Sequence, residues 1–261
     1  MNHFVADLGN SRLKWARVVA PGRLAERIAI PLERSAWDEA WAQSDVLSRQ
    51  PSAWAISSVN PPVAKKLAEF FHARQVGDLI WYEAAADVSV PKDVEGAEVG
   101  GADRALGVLA ALRMTPPGTA GLVVSCGTAI TVERVSKEGV WQGGAIAPGL
   151  GVMASALHLR TAQVPLLDTR QFDPQHAPPT WGRGTVSSLS AGIFWGTVGI
   201  VRELVARQTD ELGGELWVIW AGGDGSLLAR HVSGERARIQ PDLVLLGLSH
   251  MAFAGAYPED T

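Results

Sequence analysis

Two short stretches carry the residue types that phosphate chemistry needs. Asp7-Leu8-Gly9-Asn10-Ser11, with Lys14 close behind, and Ser125-Cys126-Gly127-Thr128-Ala129 each place a glycine-bearing turn after an apolar run. Glycine lets the backbone turn tightly and come close to a ligand. The exposed N–H groups of such a turn can cradle a phosphate. Asp7 ends its apolar run, where a carboxylate can hold Mg²⁺ directly or through water. One such stretch alone reads equally well as a hairpin turn whose Asp and Asn cap the backbone. Two of them, at the heads of two similar halves, favour a binding site.

Two further constellations follow. Ala221-Gly222-Gly223-Asp224-Gly225 comes after the apolar run Leu216 to Trp220. Paired glycines there let backbone lie flat against a planar ligand such as an adenosine. Gly100-Gly101-Ala102-Asp103-Arg104 opens a helix after a long loop. Asp103 suits a helix N-terminus on charge–dipole grounds alone. It also suits a general base that takes a proton from a substrate hydroxyl, with Arg104 binding an anionic group.

The elements that must position these residues repeat. Residues 3–8 and Leu13 to Val19 predict two strands around a Gly-Asn turn. A helix over 35–50, a strand over 54–59, a helix over 62–74 and a strand over 78–83 follow. Residues 84–100 read as loop and 101–114 as helix. Met114 to Gly118 is a linker candidate, dividing the chain into domains 1–116 and 117–261. The second half opens like the first, with strands at 121–126, 129–135 and about 139–146. Helices near 149–159 and 187–209, a strand at 216–220, the Gly222-Gly223 turn and a closing helix over 243–254 complete it. The expected fold class is α/β: two similar domains with mixed sheets flanked by helices, and a nucleotide cleft between them.

Composition sets outer limits. The 261 residues are 47% hydrophobic and 19% charged, a globular balance. A net charge of -4 offers no electrostatic footprint for nucleic acid or an anionic membrane. One cysteine, Cys126, cannot form an internal disulfide. The start of the chain lacks the pattern of a signal peptide, and no apolar stretch reaches the ~20 residues of a membrane span. A cytoplasmic protein is expected. The ten tryptophans read as core and interface mass.

Together the motifs resemble the type III pantothenate kinases, of the actin-like and sugar-kinase superfamily. Further stretches agree in order: Ser57-Ser58-Val59, Gly143-Gly144-Ala145-Ile146-Ala147-Pro148-Gly149, Gly182-Arg183-Gly184-Thr185 and Pro241 to Leu248. The resemblance implies ATP-dependent phosphorylation of pantothenate on its primary hydroxyl, toward coenzyme A, by a homodimer. It implies Asp7 for Mg²⁺, and Gly9, Asn10, Ser11, Lys14, Gly127 and Thr128 for the ATP phosphates. Gly222 and Gly223 would lie by the nucleotide, Asp103 would be the base, and Gly101, Arg104 and Thr185 would contact pantothenate.

Three departures stand out. Ser125 occupies the position where the family carries an aspartate linked to a monovalent cation, K⁺ or NH₄⁺. A hydroxyl offers one neutral oxygen in place of two charged ones, so cation binding should be weaker or absent. Val94 to Val99 lacks the tyrosine that the family places before its Gly-Ala-Asp-Arg segment. Glu133 stands where the family often has Asp. The alternatives are a ligand-binding or regulatory relative without activity, and a kinase for another small hydroxylated substrate.

Overall fold

Strands β1 (Asn2–Leu8) and β2 (Leu13–Ala20) form the hairpin expected around Gly9, with Leu8 opposite Leu13 and Asp7 opposite Lys14. The computed structural model describes residues 2–44 and 52–257. A third strand, β3 (Arg23–Ile30), continues the meander through a turn at Gly22, whose φ is +77°. No strand was expected there. Arg23, Glu26 and Arg27 interrupt the apolar alternation because β3 is an edge strand, where charge deters pairing with other chains. The Glu26 carboxylate accepts from Arg17 Nε at 2.7 Å across the pair.

Helix α1 (Arg34–Ala42) covers the first part of the helix expected over 35–50; residues 45–50 lie outside the described residues. Strand β4 (Ser52–Ser58) runs parallel to β1. Helix α2 (Pro61–His72) starts on prolines, which tolerate the first turn because its N–H groups have no helical partner. Strand β5 (Leu79–Tyr82) lies parallel to β4, giving the order β3-β2-β1-β4-β5. Phe4, Leu8, Trp15, Trp54 and Ile56 face α1 and α2, burying Trp37, Phe70 and Phe71. Alternate residues on the same strands, Val5, Asp7, Ala55 and Ser57, face the other way. Helix α3 (Ala102–Met114) lies on that second face.

The second unit repeats the plan. β6 (Gly121–Cys126), β7 (Ala129–Val135) and β8 (Trp141–Pro148) form an antiparallel meander, followed by α4 (Leu150–Arg160) and α5 (Thr185–Leu212). β9 (Trp217–Ala221), α6 (Gly225–Val232) and β10 (Arg238–Ile239) complete it. The order β10-β9-β6-β7-β8, read from β8, matches the first sheet strand for strand. The short α6 and the two-residue β10 were not expected from sequence. At 28 residues α5 is long and apolar enough to cross a membrane, contrary to the expectation that no segment was. Its Ile193, Phe194, Val198 and Val201 are buried in the second unit's core, and Arg202, Glu203 and Arg207 follow on its later turns.

The chain then returns to the first unit. Helix α7 (Leu243–Phe253) packs on α3 and on β1, β2 and β4, so the first unit comprises residues to Met114 together with those from Leu243. The division at 116/117 expected from the Pro-Gly linker therefore needs correcting at its far end. The cause is close packing. A Cβ on Gly247 would sit 2.2 Å from the Leu106 carbonyl oxygen, so the two helices meet backbone to backbone. The second unit spans Thr115–Asp242.

Candidate active site

In the first unit the carboxyl end of β1 gathers the charged residues. Asp7 stands in register with Lys14 on β2 and with Ser57 on β4, and Ser57 in turn with Tyr82 on β5. Registered neighbours share a face, so these four side chains form a polar row on the side that α3 covers. Asp103 sits in the first turn of α3, its Oδ1 accepting the Arg104 N–H at 2.9 Å. Burial raises the Asp7 pKa to about 7; the Asp103 charge pushes the same way and Lys14 opposes both. Two carboxylates near one another in a partly dry site favour a cation or a shared proton.

Gly101 is fixed by this arrangement. A Cβ there would lie 2.5 Å from Asp103 Oδ1 and 2.9 Å from Val59 Cγ1. Its strand-like bridge to Ala84, and the Ala85 N–H donating to the Gly100 carbonyl at 2.7 Å, anchor the loop before α3. Arg104 follows on the same turn, half-buried.

The Gly9 turn behaves differently. Its N–H donates to the Arg12 carbonyl at 3.1 Å, and Asn10 and Ser11 are exposed. A Cβ on Gly9 would meet only the Arg12 carbonyl oxygen, at 3.5 Å, which is ordinary contact. The fold itself does not demand glycine there. The same holds for Gly127 in the second unit, where the nearest atom would be the Ala129 carbonyl oxygen at 3.9 Å. In both turns the space left by a missing side chain is open to a ligand. Among the described residues no group of three or more His, Cys, Asp or Glu side chains forms a metal cluster. Mg²⁺ is commonly held by one or two carboxylates with substrate phosphates completing its shell, and the Asp7 carboxyl, with the Asp103 charge nearby, offers such a group. Asp7 is the residue that fits.

In the second unit Ser125, Gly127 and Thr128 sit at the carboxyl end of β6, and Gly222 and Gly223 at that of the neighbouring β9, with Ser125 opposite Ala221. Gly222 has φ +85°, and a Cβ would lie 2.2 Å from the Cys126 carbonyl oxygen. Glycine is obligatory at 222 for packing, whereas a Cβ on Gly223 would meet nothing within 4 Å. Asp224 donates its N–H to that same Cys126 carbonyl at 3.0 Å. The Cys126 thiol, buried and beside the Asp224 charge, is pushed up to about 12, so it is not a thiolate nucleophile at neutral pH. Gly149, from the Gly-Gly-x-Ile-x-Pro-Gly stretch, donates its N–H to the Thr128 carbonyl at 3.0 Å and braces the second turn. Glu133 is 1% exposed and accepts from Trp141 Nε1 at 2.9 Å, a buried bond within the meander.

Thr185 is exposed at the start of α5. It lines a groove of about 650 Å³ with Met153, Leu157, Gly182, Arg183 and Ser188. That size and mixture of apolar wall and polar groups suit a small organic ligand. The first unit thus brings together Asp7, Lys14, Gly101, Asp103 and Arg104. The second brings together Ser125, Gly127, Thr128, Gly222 and Gly223, and holds Thr185 on its own groove. Reading the sequence gave no role to Asp224 or to Ser57 as a neighbour of Asp7. The only signal for either was position at a strand end; the register that makes Ser57 a neighbour is a long-range property.

Comparison with known proteins gives a consistent result. A family model described as type III pantothenate kinase matches residues 3–207. The type III pantothenate kinase of Sphingopyxis alaskensis is 32% identical over 256 residues, covering 94% of this chain and 95% of that one. That of Porphyromonas gingivalis is 42% identical over 154 residues, 58% of this chain; the match spans only 60% of the length of that relative. Among solved structures, a protein named as a 2-dehydro-3-deoxygalactonokinase from Sinorhizobium meliloti superposes with a TM-score of 0.58 at 15% identity, covering 98% of this chain and 99% of that one. At that identity the likeness speaks for the fold alone: two domains of the actin-like, sugar-kinase type.

Proposed function

Because the chain belongs to the type III pantothenate kinase family, we propose that it transfers the γ-phosphoryl group of ATP to the primary hydroxyl of pantothenate, the first step toward coenzyme A. The observation that carries this reading is the pair Asp7 and Asp103, on one face of the first sheet beside a turn whose glycine the fold does not require. Phosphoryl transfer asks the protein for positioning and charge neutralisation more than for covalent chemistry. Asp103 takes the proton from the pantothenate hydroxyl as its oxygen attacks the γ-phosphorus. Asn10 and Ser11 in the first unit, and Thr128 in the second, offer backbone N–H groups to the ATP phosphates, with Lys14 adding a positive charge. Gly9 and Gly127, whose own N–H groups donate to the Arg12 and Ala129 carbonyls, leave beside each turn the space a phosphate needs. Gly222 and Gly223 lie by the nucleoside. Asp7 holds Mg²⁺, which supplies neutralisation of phosphate charge when bound. Gly101, Arg104 and Thr185 contact pantothenate.

Ser125 bears on the monovalent cation. With one neutral oxygen in place of a carboxylate, K⁺ or NH₄⁺ binds weakly or not at all there, and turnover is independent of either. A second copy of the chain is the partner: Leu159 at 76% exposure, Trp181 at 65% and Val186 at 56% leave apolar surface on α4 and around the start of α5. We place the enzyme in the cytoplasm. An ADP-release assay with ATP, Mg²⁺ and pantothenate, run with and without K⁺ or NH₄⁺, tests the function. Pantothenate-dependent turnover that is insensitive to the cation is expected; none under any cation defeats the assignment.

A further inference from the structure

Strand β4 carries three buried serines, and two of them are satisfied. Ser52 Oγ accepts from Trp54 Nε1 at 3.1 Å, and Ser58 Oγ accepts the Asn60 N–H at 3.2 Å. Ser57 is 1% exposed, and its hydroxyl has no partner. Buried polar groups without a partner are rare, and each asks for a reason. If packing were the whole requirement, alanine would fill this position without leaving a hydroxyl unmatched.

Its neighbours supply the reason. Ser57 stands in register with Asp7 on the adjacent parallel strand, so hydroxyl and carboxylate lie side by side on the face that α3 covers. A carboxylate is acceptor only, and a serine hydroxyl is its natural donor. The remaining charged groups of this corner, Lys14 and Asp103, belong to other elements and approach Asp7 from β2 and α3.

We infer that Ser57 is a positioning residue for Asp7: its hydroxyl donates to the Asp7 carboxylate when that group engages the magnesium nucleotide, and holds it in one orientation for the cation. This rests on the proposed role of Asp7 as the magnesium residue. The hydroxyl is therefore idle in the ligand-free protein and employed in the bound one.

That asymmetry makes the test sharp. Ser57→Ala and Ser57→Cys are compared with the wild type in two measurements. The first is the thermal midpoint without ligand and during titration with Mg²⁺ beside a non-hydrolysable ATP analogue. The second is kcat and KM for pantothenate. Ser57→Ala should be at least as stable as wild type without ligand, yet need about five- to tenfold more Mg²⁺ for half its stabilisation. Its kcat should fall by a similar factor while KM for pantothenate stays unchanged, and Ser57→Cys, a weak donor of similar size, should fall between. An unchanged magnesium requirement in Ser57→Ala overturns the inference. So does a loss of ligand-free stability with the magnesium requirement intact, which would assign the hydroxyl a structural job. The stability titration needs no turnover. A wild type that binds the magnesium nucleotide but leaves pantothenate untouched would defeat the functional reading while still deciding the role of Ser57. A wild type that binds no magnesium nucleotide overturns both.

Discussion

Replacing Asp7 by Asn should stabilise the ligand-free protein, and more so at alkaline than at acid pH. The Asp7 carboxyl titrates at about 7 in the folded chain against an ordinary value of 3.8. A raised folded pKa means that the folded state keeps its proton where the unfolded chain has lost it. Stability is then whole below about pH 4 and is eroded as the pH climbs through 7. Integrated over that window, the charge costs about 4 kcal/mol at pH 8 and just under about 2 kcal/mol at pH 5. Asp7 is half-buried, and water reaching it screens roughly half of each figure. Asp7→Asn removes the charge and should therefore gain about 2 kcal/mol at pH 8 and under about 1 kcal/mol at pH 5. In a protein of this size that is a rise in thermal midpoint of roughly 5 °C and 2 °C. The assay is thermal unfolding of both proteins in EDTA at the two pH values. Adding Mg²⁺ and ATP should then raise the wild type and leave the variant nearly unmoved. An equal shift at both pH values, or a destabilised variant at pH 8, would refute the view that Asp7 carries an unneutralised charge in wait for a cation.

Asp103→Asn should leave the unfolding midpoint near wild type and lower kcat by about 10²–10⁴-fold; near-normal turnover would remove Asp103 as the base. Gly127→Ala and Gly222→Ala form a contrasting pair. The first has open space around the new methyl and should raise KM for ATP without loss of stability. The second strikes the Cys126 carbonyl at 2.2 Å from a left-handed backbone and should lower the unfolding midpoint by several degrees. Leu159→Glu places a charge on the exposed apolar stretch of α4 and should convert a dimer to monomer in sedimentation; an unchanged sedimentation coefficient would put the interface elsewhere.

Local signals in the sequence were strong enough to read both glycine hairpins, because alternating apolar residues and a turn residue define a hairpin within about 15 positions. Asp103 was placed correctly in the opening turn of a helix for the same reason. The edge strand β3 was lost because Glu26 adopts φ +51° and the register shifts between Trp15 and Arg17, breaking the two-residue rhythm. Helix α6 hid behind Gly222 and Gly223, which read as a loop and end with Gly225 inside the helix. The neighbourhood of Asp7 and Ser57 depends on pairing β1 with a strand some fifty positions later, which no local pattern encodes. The return of α7 to the first unit was illegible on the same grounds, since an apolar helix of that length fits either sheet.

That return gives the chain a particular order of assembly. Helix α7, made after the middle segment, belongs to the part synthesised before it. The middle segment has all its strands available as soon as Asp242 emerges, whereas the opening sheet must wait with its α3-side face incompletely covered until Leu243 to Phe253 arrive. An exposed apolar sheet face during synthesis invites aggregation. Truncation before Phe253 should therefore damage the amino-terminal half of the protein, and a circular permutant opened between Asp242 and Leu243, which makes α7 ahead of β1, should mature faster than the natural order.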